Sequence, residues 1–323
     1  MLRVAFAGTF AARLEEPVRR HLATTCEIIV ADESGIIAQL ADLDMLVTMA
    51  LTGDMGRAAT RLKLVQVPGA GLDRIDRSAL PDGARLANVY GHETGIAEYV
   101  IGAMLALTRN FSRLDTALRR GEWQSQWSVG VAPPPVWPEL AGKTLGILGY
   151  GHIGQAVARR ARAFDMSVWA TRRDVRRSAN DELACVGGPE AIGEVLKRSD
   201  YALISLPATT ETIGSIGRGQ LGLMKPTAFL INVARAEILD EDALYEALAP
   251  RSIAGAALDV WYCYPREPGL SAPATRPFHE LPNVLMTPHV AGWTDGMLEA
   301  RAKLIAENIR RVACGVTPLN LIA

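Results

Sequence analysis

Short apolar runs alternate along this chain with stretches in which apolar residues recur every three or four positions. The runs Leu2–Ala7, Cys26–Val30, Met45–Thr48 and Leu64–Val67 predict strands in the N-terminal part. Further on, Thr144–Leu148, Val168–Ala170, Tyr201–Leu206, Phe229–Val233, Ile253–Val260 and Val284–Met286 predict a six-strand block. Ile96–Leu107 is almost wholly apolar, which predicts a buried helix at a junction of two domains. Asp240 is placed to cap a helix running to about Leu248, and Trp293–Val312 predicts a last long helix that returns the chain to its first domain. Strands and helices in alternation predict α/β layers built on parallel sheets. Arg109–Leu140 interrupts the rhythm with Trp123, Trp127, Trp137 and the Pro133-Pro134-Pro135 run. It reads as a segment without regular structure, whose tryptophans suit a contact with another subunit or whose length suits a linker.

Chemistry first appears between the strands Thr144–Leu148 and Val168–Ala170. There the sequence runs Gly149-Tyr150-Gly151-His152-Ile153-Gly154, followed by a helix with a Val157/Ala161/Phe164 stripe. Glycines at that spacing permit a tight turn, close approach of backbone to a pyrophosphate, and close helix–strand packing. A helix N-terminus then offers N–H groups and a positive dipole end. At the end of the second strand stand Thr171, Arg172 and Arg173, with no acid before Asp174. An acid there would bond a ribose 2′-hydroxyl, whereas Arg suits a 2′-phosphate. NADP(H) is therefore favoured, with NAD(H) open; the plainer alternative is a solvated cluster with Arg176 and Arg177.

Composition narrows the class. The 323 residues suggest about two domains, 49% hydrophobic content allows sizeable cores, and a formal net charge of −1 argues against nucleic acid or an anionic membrane as partner. No apolar run approaches the roughly 20 residues that span a bilayer. Met1–Phe10 lacks the apolar core of a signal peptide, and Cys26, Cys185, Cys263 and Cys314 are scattered without metal-ligand spacing. These features predict a cytoplasmic protein with reduced thiols and no metal.

Further motifs follow in order: Leu206-Pro207 to Thr212, Lys225-Pro226, Asn232-Val233-Ala234-Arg235-Ala236, Gly255 to Asp259-Val-Trp261, and Thr287-Pro288-His289 to Gly292. With Gly149–Gly154 and the loop Pro68-Gly69-Ala70-Gly71-Leu72-Asp73, they resemble the D-2-hydroxyacid dehydrogenases over essentially the whole chain, in the manner of glyoxylate/hydroxypyruvate reductases. The resemblance implies a Rossmann NAD(P)-binding domain, residues 95–291, inserted into a flavodoxin-like substrate domain formed by 1–94 and 292–323. Both domains are then doubly wound parallel sheets, with ligands bound at the carboxyl ends of strands in a cleft between them. It also implies a homodimer acting on a small 2-keto or 2-hydroxy acid.

Reducing a 2-keto acid needs a cation for its oxygens, a proton donor and a positioned hydride. Arg235 follows an apolar strand and offers a fork of donors; the resemblance assigns it to the carbonyl and carboxylate. His289 is the candidate acid/base, because an imidazole titrates near neutral pH. Its rivals are weaker: His152 sits in the glycine loop, His21 and His279 lie in ordinary surroundings, and His92 falls where the family often carries a cofactor-side Asn. The resemblance assigns backbone N–H groups of Gly69, Ala70 and Gly71 to the substrate carboxylate. It assigns Leu206, Pro207, Thr212, Val233, Ala234, Asp259 and Gly292 to the cofactor, with Asp259 on the nicotinamide carboxamide or, alternatively, holding a strand end. Leu51, within Met49-Ala50-Leu51-Thr52, is expected to line the substrate pocket.

Members of the resembled family usually carry a Glu before a Pro that pairs with the catalytic His. Here Tyr264 precedes Pro265 at that position, while Glu267 in Arg266-Glu267-Pro268 is a displaced alternative. A neutral phenol can orient an imidazole but stabilises imidazolium less than a carboxylate does. Ala236 also stands where the family has Gly after the Arg. Two other functions compete with 2-keto acid reduction: a formate-dehydrogenase-like oxidation without a proton relay, and a dinucleotide-sensing binding protein without catalysis.

Overall fold

The computed structural model describes residues 1–323 except Val131, Pro133, Pro135, 179–181, Arg266 and Ala323, and omits the side chains of Arg177 and Ser178. Pro133 and Pro135 of the proline run, the Arg177 side chain and Arg266 beside Glu267 thus lie outside the described residues. The chain divides into two compact units, Met1–His92 with Trp293–Ala323, and Glu93–Gly292.

In the first unit, β1 (Leu2–Ala7), β2 (Cys26–Ala31), β3 (Met45–Thr48), β4 (Leu64–Gln66) and β5 (Arg85–Ala87) form one parallel sheet in the order β2-β1-β3-β4-β5. This is the flavodoxin-like order. The pleat explains its two cores, because successive side chains point to opposite faces. Val4, Phe6, Met45, Val47 and Leu64 pack on one side. Ala5, Ala7, Leu46 and Val65 pack on the other. Helix α1 (Thr9–Arg19) contributes Leu14 and Val18 to the first core, and α2 (Gly53–Ala58) contributes Met55 to the second. The edge strand β5 has only three residues and no clear alternation, and was not predicted.

The second unit opens with α3 (Glu93–Arg109), which buries Ile96, Ala97, Val100, Ile101, Ala103 and Met104. Helix α4 (Phe111–Arg119) follows, so the segment expected to lack regular structure holds one helix before its tryptophans. Seven strands make a second all-parallel sheet: β6 (Thr144–Leu148), β7 (Ser167–Thr171), β8 (Cys185–Gly187), β9 (Tyr201–Ile204), β10 (Phe229–Asn232), β11 (Gly255–Leu258) and β12 (Val284–Met286). Their order is β12-β11-β10-β9-β6-β7-β8. The sequence predicted six of them; β8 is a three-residue, half-buried edge strand, Cys185-Val186-Gly187, which is too short to carry a pattern. Leu145, Ile147, Leu203, Ile231 and Ala257 face one core with α3 and α5 (His152–Arg162), while Leu148, Ile204, Leu230 and Leu258 face the other. Phe164 lies beyond α5 and is exposed; the buried stripe is Gly154, Val157, Ala158 and Ala161.

On the second face stand α6 (Ile192–Arg198), α7 (Arg218–Leu221) and α8 (Glu241–Leu248). Asp240 caps α8 by accepting the Ala243 N–H at 2.7 Å. The chain then returns to the first unit as α9 (Asp295–Ala313), capped by Thr294, whose Ala302, Ile305 and Ile309 pack into the core beside α1. No helix among the described residues is long and apolar enough to cross a membrane.

Candidate active site

Strand order reverses between β6 and β9, and the loops that leave their carboxyl ends meet there. Gly149 has φ +99°, and a Cβ on it would stand 2.8 Å from the Leu206 nitrogen and Ser205 carbonyl. Only glycine fits. Ser205 ties the two loops together, its hydroxyl donating to the Gly149 carbonyl at 2.8 Å. The N–H groups of Gly149 and Tyr150 both donate to the Thr171 carbonyl at 3.2 and 2.7 Å, which joins the turn to the end of β7. At Gly154 a Cβ would come 2.8 Å from the Gly149 carbonyl, so α5 runs hard against the strand. At Gly151, the N-cap of α5, a Cβ would meet nothing within 4 Å, and no side chain caps the helix. This open cradle at a helix N-terminus fits the pyrophosphate of a dinucleotide.

His152 and Ile153 form the first turn of α5, exposed and half-buried respectively. Past the buried Thr171, Arg172 is half-buried and Arg173 exposed. The Arg172 guanidinium lies 5.7 Å from the centre of the Tyr150 ring, a cation–π contact that holds it beside the glycine loop. After β9, Thr212 shapes the Leu206–Thr212 loop: its hydroxyl donates to the Pro207 carbonyl at 2.6 Å and accepts the Thr209 N–H at 2.8 Å. After β10, Val233 and Ala234 are buried. Arg235, half-buried, donates from Nη1 to the Ala234 carbonyl at 2.7 Å. The Asn232 side chain braces this turn, donating to the Arg235 carbonyl and accepting the Ala234 N–H, both at 3.0 Å.

Asp259 follows β11 and is 1% exposed. Its carboxylate accepts from the Thr287 hydroxyl at 2.6 Å and from the Val290 and Ala291 N–H groups at 2.9 Å. It therefore clamps the turn after β12, where His289 takes a left-handed φ of +57°. Thr287 in turn accepts from the Tyr99 phenol at 2.7 Å, since its own proton goes to Asp259. The Trp261 indole N–H donates to the Thr287 carbonyl at 2.8 Å. Tyr99, Thr287 and Trp261 were not singled out from sequence. Thr287 and Trp261 lie within motifs of the sequence, whereas nothing about an apolar helix marks Tyr99. Gly292 is half-buried at the end of this turn.

The Tyr264 hydroxyl lies 2.7 Å from His289 Nδ1. It also accepts the backbone N–H of Trp261, with 3.4 Å between nitrogen and oxygen. Glu267 is exposed, and the hydrogen bond to Nδ1 is the phenol's. Although His289 is itself exposed, atoms packed around its ring push its pKa below the ordinary 6.5, and the Arg235 guanidinium pushes the same way; Asp259 opposes them. Burial raises the Tyr264 phenol above 10, so it stays neutral through physiological pH.

Residue by residue, the first unit presents a different picture. Asn88 donates to the Ala70 carbonyl at 3.2 Å, and the Val89 N–H donates to Gly69, which pins the Gly69–Gly71 loop. Leu51 is 1% exposed inside the core, with backbone bonds to Arg74 and Asp76. Its side chain packs the core instead of lining a pocket; in Met49-Ala50-Leu51-Thr52 it is the Met49 thioether that abuts Gly69. His92 is buried with Nδ1 3.2 Å from Arg301 Nη2.

Residues 101–291 match the NAD binding domain of the D-isomer specific 2-hydroxyacid dehydrogenases. The chain belongs to that family. A glyoxylate reductase of Pyrococcus furiosus is 36% identical to this family member over 295 residues, 89% of this chain and 84% of its own. An NADPH-dependent glyoxylate/hydroxypyruvate reductase of Sinorhizobium meliloti, solved with NADP and malonate, is 26% identical with a TM-score of 0.79 over 100% of this chain and 97% of that one. An acyclic imino acid reductase solved with NADPH and D-Arg is 26% identical with a TM-score of 0.81 over the whole of both chains. This 2-hydroxyacid dehydrogenase is therefore an oxidoreductase with an NAD(P)-binding domain.

Proposed function

We propose that the enzyme is an NADP(H)-preferring reductase of small 2-keto acids such as glyoxylate, hydroxypyruvate or pyruvate. One observation carries the reading: all the candidate groups of the second unit leave the carboxyl ends of one parallel sheet. The glycine loop follows β6, Arg172 follows β7, Ser205 follows β9, Arg235 follows β10, Asp259 follows β11 and His289 follows β12. Carboxyl ends at a switch point are where ligands bind in such sheets. The bound cofactor supplies the hydride. Arg235 holds the substrate carboxylate and polarises the carbonyl, and protonated His289 gives its Nε2 proton to the carbonyl oxygen. Tyr264 then accepts the Nδ1–H that the ring retains. Asp259 fixes the ring through the Val290 and Ala291 amides. Within the first unit, the Gly69–Gly71 amides are the candidate carboxylate donors, and Met49, whose thioether abuts Gly69, replaces Leu51 as the candidate specificity residue.

Arg172 and Arg173 take the 2′-phosphate. Support comes from the absence of an acid at the end of β7 and from the NADP-bound relative. The imino acid reductase reduces a C=N bond on the same fold, with NADPH as well. A cytoplasmic homodimer, with Trp123 and Trp127 against a second copy, completes the proposal.

Reduction of a panel of 2-keto acids with NADPH and NADH in parallel tests it. Turnover with strong NADPH preference supports the reductase activity and the roles of Arg172 and Arg173. Preference for NADH removes the roles of Arg172 and Arg173. Tight dinucleotide binding without turnover favours the formate-dehydrogenase-like or sensing functions.

A further inference from the structure

We propose that this site also reduces 2-imino acids, the protonated imines formed from 2-keto acids and small amines, to 2-amino acids. The inference rests on the reading above and on the nature of the group at His289 Nδ1.

A carboxylate partner only accepts, so it fixes Nδ1 as a donor and favours the doubly protonated ring. The phenol of Tyr264, 2.7 Å from Nδ1, has both a proton to give and lone pairs to accept with. When the phenol donates to Nδ1, the neutral ring shows an Nε2–H. When it accepts from Nδ1, the neutral ring shows a bare Nε2 lone pair. The Trp261 backbone N–H, its nitrogen 3.4 Å from the phenol oxygen, fits both states, because it needs only one lone pair of the phenol. The pair can thus meet either kind of double bond. A carbonyl oxygen must be given a proton, whereas an iminium nitrogen already carries its protons and needs an acceptor.

The two substrates make opposite demands on ring charge. An imidazolium repels an iminium, and the groups facing the ring disfavour imidazolium: packing and Arg235 lower the pKa of His289 while Asp259 alone supports it. Glu237 and Arg235 act on the Tyr264 phenol, which remains neutral. Arg235 has only donors, so it serves the carboxylate of an imino acid and leaves the nitrogen to His289. The balance is simple. A 2-keto acid and ammonium condense to the iminium and water. Carbon gains the hydride pair from NAD(P)H, the C=N π pair moves to nitrogen, and the resulting amine takes a proton from solvent. No proton need be given at the reacting bond, so a neutral ring suffices.

The test runs pyruvate and glyoxylate with NADPH, each alone and with excess methylamine, from pH 6 to 9.5 (roughly the range where imidazole and amine both titrate). Products are separated by mass spectrometry, and ¹⁵N NMR reads the His289 ring in the free protein. N-methyl amino acid should form above the enzyme-free control, its share of product rising at least about tenfold as the ring becomes neutral. Tyr264→Glu should lower that share about tenfold while extending keto acid reduction to higher pH. Keto acid reduction without any amine product overturns the inference and leaves the proposed function standing. Failure of both reactions overturns both. An imidazolium persisting in the NMR spectrum above pH 8 also overturns it.

Discussion

Replacing a carboxylate by a phenol at one atom of a histidine changes the pH at which the histidine works. His289 has its pKa below the ordinary value, through packing first and Arg235 second. Keto acid reduction consumes the protonated ring, so kcat/KM should be full below that pKa and decline as pH rises through it, before pH 7. Hydroxy acid oxidation uses the neutral ring and should show the opposite limb. Tyr264→Glu should move the limb of the reduction profile up by at least about one unit; an unmoved limb would detach the phenol from proton transfer. The cofactor arginines make a second prediction at this scale. Arg173→Ala should raise KM for NADPH about tenfold or more with little change for NADH. Tyr150→Leu, which removes the ring under Arg172, should do the same more weakly. The departure at Tyr264 was legible in the sequence because a Pro follows it. What the hydroxyl does was not, because a phenol's role depends on which atoms lie within 3 Å of it.

Turns, rather than helices or strands, carry the chemistry, and their stability can be tested singly. Thr287→Val removes the hydroxyl that links Tyr99 to Asp259 and leaves the buried Asp259 and the half-buried Tyr99 each short of a partner. A loss of about 1–3 kcal/mol in stability is expected by denaturant titration, with kcat falling more than the dinucleotide Kd changes. Gly149→Ala should cost about 1–3 kcal/mol for its positive φ and, through the clash with Leu206, abolish dinucleotide binding measured by fluorescence. Asp240→Ala, a cap remote from the site, should cost about 1 kcal/mol and leave kcat unchanged. Long strands such as Leu2–Ala7 and the Asp240 cap could be read from sequence, since their signals are local. The edge strands Arg85–Ala87 and Cys185–Gly187 could not, because three residues show no period. Leu51 was misread for a related reason: an apolar residue near a candidate loop looks the same whether it faces the pocket or the core.

At the scale of the whole molecule, the exposed Trp123 (61%) and Trp127 (76%) make the oligomeric state a sharp test of the proposed second copy. Trp127→Glu should shift sedimentation from dimer to monomer, and an unchanged dimer would place the interface elsewhere. Family and architecture were legible because several separate motifs fall in one order along the chain, each with its own backbone requirement. The division of the chain has a consequence for its biogenesis. The first unit is built from two distant segments, and the α9 residues Ala302, Ile305 and Ile309 complete the core against α1. During synthesis the whole of Glu93–Gly292 emerges before that helix does. The nascent N-terminal sheet must therefore wait with Leu14 and Val18 uncovered while the second unit has all its strands in hand. The first unit is then the part most exposed to chaperones and aggregation on the ribosome, and the last helix acts as its closing latch.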